Sequence, residues 1–441
     1  MKSALANSRI KDIIPCKHNI VIFFIFIFFI FPGVRDWFFN LKFGWSYVLS
    51  FSFLVSYLCV PVVRRIALRL DIVDNPDRRK IHVAPTPLLG GVAVYIAFAS
   101  AIIYNNVFSL ELKGVAIGAT IVFIIGLIDD FKFLPAMLKL FIQVVAVSIM
   151  ICYGVVVDIL PNVWWGKSLE IVITIIWMLG ITNSLNFFDG MDGLAAGLTV
   201  ICSMFLGILA IQTNQPYLMF LSIALVGSCL GFLPFNLRYK KPAVIFLGDA
   251  GSTFMGFMLA GMVVMGGWGS QDPIKAYAMP ILIMGIFIFD MTYTTIARIS
   301  SKKVVDFGGW VEYAGRDHLH HRLTDLGLSA KKTVFFYLLS YCIVRIKRPG
   351  IEKRKSNRCL IASASSGNYI SHSCHIDVER ETERQEERRS NEIIKTNPSN
   401  EITAFCFNYA KYYICPIGGV QSGDIIPIYL TNDSIDPAYL L

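Results

Sequence analysis

The chain has 441 residues, 55% of them hydrophobic, and a mean hydropathy of +0.58. A composition this apolar excludes a soluble domain with a fully polar surface and predicts an integral membrane protein. The formal net charge of +9 does not by itself indicate a nucleic-acid partner, and we expect none, because the positive charges follow membrane topology.

Apolar segments follow one another along the chain, and several approach the ~20 residues that a spanning helix needs. The loops between them are short, as in a helical bundle. We therefore predict an all-α, polytopic integral membrane protein with about 10–11 transmembrane helices. In chain order the segments are Ile20–Phe31, Tyr47–Val63, Leu88–Ile103, Val115–Ile128, Leu140–Val157, Leu169–Leu185, Leu194–Ile211, Tyr217–Leu233, Ser252–Trp268, Ile274–Ile296 and Val334–Val344.

The positive charges distinguish the two sides of the membrane. If the segments alternate in direction, the loops that carry the polar motifs hold eighteen Lys and Arg residues, whereas the opposite loops hold Lys113, Lys167 and Lys275. By the positive-inside rule the motif side faces the cytoplasm. We expect a multi-pass protein of the bacterial cytoplasmic membrane with a cytoplasmic amino terminus. The first segment is read as an uncleaved anchor, because no small-residue cleavage site follows it.

The chain divides into three regions by composition. Residues 1–43 form an amino-terminal segment with the first membrane helix, and residues 44–344 form the transmembrane domain that carries the motifs. Residues 345–441 are polar and highly charged and lack an apolar period, so this tail is predicted to be disordered or aberrant.

The first large loop on the motif side combines clustered cations with proline. Arg78, Arg79 and Lys80 precede His82, and Thr86 stands between two prolines that stiffen the chain. This combination suits binding of an anionic phosphate or diphosphate at Lys80, His82 and Thr86. The alternative is that the charges serve only topology, which does not account for the rigid Pro-Thr-Pro sequence.

Two adjacent carboxylates, Asp129 and Asp130, close the segment Val115–Ile128 at the predicted cytoplasmic boundary. Neighbouring helical residues point ~100° apart, so we expect the two side chains to have different partners. Like charges this close raise each other's pKa unless a cation or a hydrogen-bond donor lies between them. A solvated helix end is the alternative.

Four polar residues then recur at every third position: Asn183, Asn186, Asp189 and Asp192. Each three-residue step falls ~60° short of a full turn, so the four side chains wind around the helix. Some of them would face lipid unless the ridge lines a cleft. Amide and carboxylate groups suit a nucleotide or a hydrated metal ion. A polar seam between packed helices is the alternative.

Two further motifs follow. Gly248 to Ser252 precede the apolar run Thr253–Trp268. Free backbone N–H groups at such a helix start favour phosphate, although Asp249 can also act as an ordinary N-cap. Asp290 is either another ligand or a packed polar group. The last motif favours a phosphate clamp over a zinc site, since no cysteine accompanies it. Its residues are His318, His320, His321 and Arg322.

Seven blocks together resemble the polyprenyl-phosphate N-acetylhexosamine-1-phosphate transferases, membrane relatives of the phospho-N-acetylmuramoyl-pentapeptide translocase. The resemblance covers residues 44–344. The blocks are Pro76–His82, Pro85–Pro87 with Gly90 and Gly91, Gly126–Asp130, Asn183–Gly193, Gly231–Asn236, Phe246–Ser252 and His318–His321.

The resemblance implies that undecaprenyl phosphate attacks the sugar-bearing phosphate of a UDP-N-acetylhexosamine and releases UMP. It implies Mg²⁺ as cofactor, with Mn²⁺ as a substitute, and a homodimer is compatible with it. Asp129 and Asp130 are then catalytic, and Asp249 and Asp192 are metal ligands. Substrate-binding roles fall on Lys139 near the diphosphate, Asn236 and Phe246 at the uridine, Asn183, Asn186 and Asp189 at the nucleotide, and the histidine motif at phosphate.

The His-Leu-His-His sequence resembles the glycan-initiating branch, for which N-acetylglucosamine is the expected sugar. A pentapeptide-translocase activity is the nearest alternative. A CDP-alcohol phosphotransferase is set behind it, because Gly197 stands where that signature has arginine. An ion-coupled transporter would place its acidic groups near mid-bilayer rather than at helix ends. The chain departs from the family after the histidine motif, where Val334–Val344 stops at Arg345.

Overall fold

The computed structural model describes residues 16–76, 85–107, 109–238, 241–268 and 273–301, together with residues 308, 309, 318, 332 and 334. Within these ranges the chain forms helices and one short antiparallel ladder between β1 (Val73–Asp74) and β2 (Thr86–Pro87). The helices are α1 (Cys16–Ile30), α2 (Pro32–Asn40), α3 (Gly44–Arg69), α4 (Gly90–Tyr104), α5 (Leu110–Phe131), α6 (Ala136–Cys152), α7 (Trp164–Phe188), α8 (Leu194–Gln212), α9 (Pro216–Asn236), α10 (Gly248–Met265), α11 (Pro273–Ile283) and α12 (Gly285–Ser300).

The predicted all-α membrane architecture is confirmed, and the first ten predicted segments all fall on helices. Six of the described helices are long and apolar enough to cross a membrane, or up to eight if each bent pair is one span. The shorter apolar helices α4 and α6 have 15 and 17 residues, below the ~20 of a regular span. The eleventh predicted segment lies outside the described residues, apart from Val334.

Two segments predicted as single helices are broken. Helices α1 and α2 meet at 73° beside Pro32, whose ring nitrogen has no N–H to continue the hydrogen-bond ladder. Helices α11 and α12 meet at 70° at Met284. Met284 is the fourth residue after Pro280, and Gly285 begins α12. Proline and glycine are the usual causes of such kinks, so the bends have an explanation in the sequence.

Helix α10 lies at the centre of the packing, with 16 of its 18 residues buried. It packs against α4, α5, α7 and α8. Glycine makes the close approach possible: a Cβ on Gly126 of α5 would lie 2.7 Å from the Cα of Ala250, and one on Gly91 of α4 would collide with Gly251. The ends of α4 and α5 are thereby held directly against the first turn of α10.

Candidate active site at the helix ends

The first turn of α10 is capped by a side chain from another helix. Asp130, at the end of α5, accepts hydrogen bonds from the backbone N–H groups of Asp249 (2.8 Å) and Ala250 (3.2 Å). The residue at the N-cap position itself, Leu247, provides no side-chain cap. Asp130 therefore satisfies backbone donors that a helix start otherwise leaves without partners. The two N–H groups expected to be free for phosphate are thus bonded to Asp130, and the alternative that Asp249 is the N-cap is wrong.

Lys139 bridges two carboxylates from different helices. Its Nζ lies 2.8 Å from Asp129 Oδ2 and 3.1 Å from Asp249 Oδ2. The other oxygen of Asp129 accepts the backbone N–H of Leu134 at 2.6 Å, which fixes the turn between α5 and α6. Asp129 thus faces α6 while Asp130 faces α10, so the expectation that the adjacent carboxylates have different partners is confirmed.

The amides of α7 complete this junction. Asn186 donates from Nδ2 to Asp249 Oδ1 (3.1 Å) and to Ser252 Oγ (2.9 Å), so it orients the metal-ligand candidate. One turn earlier, Asn183 and Gln143 exchange amide hydrogen bonds of 2.7 and 3.3 Å. In the first half of the predicted ridge, Asn186 therefore contacts the acidic junction, and Asn183 belongs to a polar seam between α6 and α7.

The second half of the ridge leaves the helix, because α7 ends at Phe188. Asp189 follows immediately, and burial raises its pKa well above the ordinary range. The carboxylates of Asp249, Asp130 and Asp192 raise it further, while a hydrogen bond from the Gly248 backbone opposes them. Such a concentration of anionic groups at one end of the bundle is the condition under which a cation binds.

The segment 243–247 joins the acidic residues to the loops around them. Asp192 Oδ2 accepts the Ala243 N–H at 3.0 Å, and Arg64 Nε donates to the Val244 carbonyl at 3.1 Å. Asn236 is buried, and its amide accepts from Gly193 N (2.6 Å) and donates to the Ile245 carbonyl (3.0 Å). These bonds account for Asn236 as a tie between loops; its predicted uridine contact stays a prediction.

Phe246 and Thr86 lie on the same edge of the site. The Phe246 backbone pairs with Pro87 (2.8 Å) and Gly90 (2.9 Å), while its side chain is half-buried. Thr86 is buried in the ladder with β1. The rigid Pro-Thr-Pro stretch therefore braces segment 243–247. Lys80 and His82, the predicted phosphate-binding residues of that loop, lie outside the described residues.

His318 and Asp290 form a buried pair on the other flank of α7. His318 Nδ1 lies 2.6 Å from Asp290 Oδ2, and its Nε2 lies 3.2 Å from the Arg298 guanidinium. The ring stacks on Phe187 with centroids 4.5 Å apart. The rest of the predicted histidine motif, namely His320, His321 and Arg322, lies outside the described residues.

The donor set suits a metal ion that shares its shell with substrate. Within the described ranges no group of three His, Cys, Asp or Glu side chains is arranged to hold a metal by itself. Mg²⁺ usually takes one or two carboxylates and completes its octahedron with water and phosphate oxygens, so a protein-only cage is not required. Asp249 Oδ2 already has a cationic partner, because Lys139 Nζ lies 3.1 Å from it.

Two contributors were missed from the sequence. Gln143 follows Lys139 by four residues and therefore shares its helix face, and a polar residue in an apolar segment on that face was the available signal. Arg64 was counted only as a topology charge, although it is 3% exposed. Its backbone partner, Val244, is 180 residues away in the sequence and gave no local signal.

Comparison with known proteins identifies relatives of this chain. Residues 112–267, from α5 to just past α10, match the family model "Glycosyl transferase family 4". The "Probable undecaprenyl-phosphate N-acetylglucosaminyl 1-phosphate transferase" of Bacillus subtilis (strain 168) is 32% identical over 301 residues, which are 66% of this chain and 81% of the relative.

Two other relatives show the range of the similarity. The "Decaprenyl-phosphate N-acetylglucosaminephosphotransferase" of Mycolicibacterium smegmatis (strain ATCC 700084 / mc(2)155) is 30% identical over 317 residues, 65% of this chain and 77% of that protein. A "Phospho-N-acetylmuramoyl-pentapeptide-transferase" of Caldicellulosiruptor bescii is 28% identical over 331 residues, 67% of this chain and 96% of that protein. The chain therefore belongs to glycosyl transferase family 4.

Proposed function

We propose that this chain transfers N-acetylglucosamine 1-phosphate from UDP-N-acetylglucosamine to undecaprenyl phosphate. The observation that carries the proposal is the junction of α5, α6, α7 and α10, where Lys139 links Asp129 to Asp249 and Asn186 orients Asp249. Family membership supplies the reaction class, and the names of the relatives above support the sugar and the lipid.

In this reaction an oxygen of the lipid phosphate forms a bond to the sugar-bearing phosphorus. The phosphorus–oxygen bond to UMP breaks, and UMP leaves with that bond's electron pair. The product is a polyprenyl-diphospho-sugar that remains in the membrane and starts a cell-surface glycan such as an O-antigen. Two anionic phosphates must approach each other, so positive charge near both is the main requirement for catalysis.

The residues divide this work by their contacts. Asp129 is the candidate for orienting the lipid phosphate and taking its proton, because its carboxylate is held by Lys139 and the Leu134 N–H rather than by the start of a helix. Lys139 sits where it can exchange a carboxylate partner for a diphosphate oxygen. Asp130 acts on the reaction indirectly, by fixing the first turn of α10 and thereby the position of Asp249.

We further propose Mg²⁺, or Mn²⁺ in its place, as the cofactor, held by Asp249 and Asp192 with Asp189 close to both. When bound, it would neutralise the diphosphate and stabilise the charge on departing UMP. The carboxylates fit this ion because hard oxygen donors are its preferred ligands. Burial raises the pKa of Asp189, and the carboxylates of Asp249, Asp130 and Asp192 raise it further.

The proposed setting is the bacterial cytoplasmic membrane, with the site and the amino terminus in the cytoplasm. This orientation is supported by the excess of Lys and Arg in the loops on the site side. It also gives the site access to a soluble UDP-sugar and to lipid from the bilayer. A homodimer is compatible with the proposal, and nothing in the site geometry requires one.

The test is UMP release by the purified full chain with UDP-N-acetylglucosamine, undecaprenyl phosphate and Mg²⁺. We expect release with the wild type and a loss of at least about 1,000-fold in Asp129→Asn. Glu111→Gln is the matched control, because Glu111 is an exposed carboxylate at the opposite end of the same helix. Release only with UDP-N-acetylmuramoyl-pentapeptide would indicate the pentapeptide branch, and release with neither sugar nucleotide would refute the proposal.

A further inference from the structure

A pair of amide side chains joins α6 to α7 one helical turn away from the acidic junction, toward the middle of both helices. Gln143 follows Lys139 by four residues on α6, and Asn183 precedes Asn186 by three residues on α7. Residues at these spacings share a helix face, so the amide pair continues the line of contacts that begins at Asp249. No step of the proposed reaction uses this pair.

The contacts engage both ends of both amides. Asn183 Nδ2 donates to Gln143 Oε1 at 2.7 Å and to the Leu179 carbonyl at 2.8 Å. Gln143 Nε2 donates in return to Asn183 Oδ1 at 3.3 Å, and Gln143 is 3% exposed. A buried amide that loses its hydrogen bonds destabilises the fold, so each of the two residues holds the other in place.

This reciprocal pairing selects one register between the two helices. A slip of one turn would move the amides apart by about 5.4 Å, beyond hydrogen-bond reach, and a shift of one residue would rotate an amide by ~100°. The other buried residues of α6 are Ala146, Val147 and Met150, whose apolar side chains tolerate alternative packing. In coiled coils a single polar residue in an apolar interface fixes register in the same way.

The register of α6 determines where Lys139 lies. From α6 its Nζ reaches Asp129 at 2.8 Å and Asp249, on α10, at 3.1 Å. In the proposed reaction Lys139 exchanges a carboxylate partner for a diphosphate oxygen, and this ionic contact of α6 is then weakened. The amide pair takes no part in that exchange, so it keeps α6 against α7 while Lys139 changes partners.

We propose that Gln143 and Asn183 are positioning residues that hold α6 in register with α7 and thereby keep Lys139 at the acidic junction. They act on the reaction through Lys139. In this role Asn183 acts within the fold rather than at the nucleotide, because both ends of its amide are engaged by Gln143. The proposal deepens the proposed function and rests on it.

The kinetic test compares Gln143→Leu with Thr199→Val in the purified full chain. Both changes replace a buried polar side chain by an apolar one of similar size, but the Thr199 hydroxyl bonds the Ala195 carbonyl of its own helix. Because a small misplacement of a catalytic group is enough to slow a reaction strongly, we expect Gln143→Leu to lower kcat for UMP release by about 100-fold. Both KM values should change less than kcat, and Thr199→Val should remain near wild type.

A purely structural role predicts a different result. Loss of folded protein would lower the yield of Gln143→Leu and leave the kcat of the folded fraction unchanged. Asn183→Leu should match Gln143→Leu, and the double variant should lose no more than either single variant, because each change removes the same pair. Wild-type kcat in the folded fraction of Gln143→Leu, or additive losses in the double variant, would overturn the proposal.

A chemical measurement that needs no activity separates this proposal from the proposed function. Acetic anhydride acetylates neutral amines, and mass spectrometry of the digested chain gives the rate at each lysine. Without substrates, Lys139 should react more slowly than the exposed Lys132, because Lys139 is held between two carboxylates. We expect Gln143→Leu to raise the rate at Lys139 relative to Lys132 by about tenfold, since an opposite charge nearby favours the unreactive ammonium form.

The same ratio should stay at its wild-type value in Thr199→Val. An unchanged ratio in Gln143→Leu would overturn the proposal. The expected rise in a chain that releases no UMP would leave the hold of the amide pair on Lys139 standing and refute only the proposed reaction.

Discussion

Replacing Lys139 with methionine removes the positive charge that Asp129 and Asp249 share while keeping most of the side-chain length. In the wild type, Lys139 Nζ lies 2.8 and 3.1 Å from the two carboxylates, and the lysine side chain is 26% exposed. The variant leaves two carboxylates facing each other across the junction. It therefore tests whether Lys139 and a divalent cation compete for the same oxygen of Asp249.

The magnitude follows from the geometry. Two unit charges 3 Å apart attract by about 5 kcal/mol at an effective dielectric constant of ~20, and desolvation offsets a large part of this. Removing one partner of a buried ion pair costs about 3–5 kcal/mol. Because Lys139 retains some exposure, we expect a loss of about 2–3 kcal/mol in the free energy of unfolding when chelator keeps divalent ions away.

Metal affinity should change in the opposite direction. In the wild type an incoming ion must displace the ammonium group from Asp249 Oδ2, and in Lys139→Met that cost disappears. If half of the lost stability is recovered on binding, affinity rises about tenfold, since 1.4 kcal/mol corresponds to a factor of ten. Transferase activity should nevertheless fall, because the variant lacks a cation at the diphosphate.

Mn²⁺ titration followed by electron paramagnetic resonance measures the affinity in the absence of both substrates, and thermal unfolding with chelator or Mg²⁺ measures stability. Lys132→Met is the control, because Lys132 is an exposed lysine just after α5 and near the same loop. The control removes one positive charge near the site but leaves both carboxylates paired with Lys139. Mn²⁺ binding that is equal or weaker in Lys139→Met than in the control would refute the competition.

Two further variants test the packing and the charge of the site. Gly126→Ala should destabilise the chain by about 1–3 kcal/mol, because its Cβ would lie 2.7 Å from the Cα of Ala250. Gly180→Ala on α7 is the control and should not destabilise the chain, since nothing lies within 4 Å of that Cβ. Thermal unfolding of the two variants measures the difference. The raised pKa of Asp189 means that the folded chain keeps a proton the unfolded chain loses. Without divalent ions, the free energy of unfolding should therefore fall as pH rises above about 4, the ordinary carboxyl range, until Asp189 itself ionises. Asp189→Asn should flatten this decline when unfolding is measured between about pH 5 and 8. An unchanged slope in that variant would contradict the assignment.

The sequence predicted the helices and the end of the bundle at which the polar residues meet, because both depend on local pattern. Apolar length located the first ten segments, and the ~100° turn per residue correctly gave Asp129 and Asp130 different partners. The breaks at Pro32 and Gly285 were visible as residue types. Apolar length alone did not reveal them, since it is insensitive to a change of helix direction.

The functions of individual polar groups could not be predicted in the same way. Asp130 caps a helix 119 residues away, and Asn236 joins two loops through both halves of its amide. Each of these side chains fits a substrate-binding pattern equally well when read along the chain. Whether such a side chain binds substrate or the backbone depends on which backbone groups tertiary packing brings within hydrogen-bond distance.

The placement of the carboxylates also supports the proposed cation. Asp129 and Asp130 end α5, and Asp189 follows the end of α7, so all three lie at helix C-termini, where the backbone already carries partial negative charge. The backbone N–H groups at the N-terminus of α10 partly compensate Asp130, and Lys139 partly compensates Asp129. Asp189 also accepts a hydrogen bond from the Gly248 backbone, but burial and the neighbouring carboxylates still raise its pKa. Their clustering at one end of the bundle, at helix ends that already carry partial negative charge, is therefore the feature that favours the proposed binding of a metal ion and a diphosphate there.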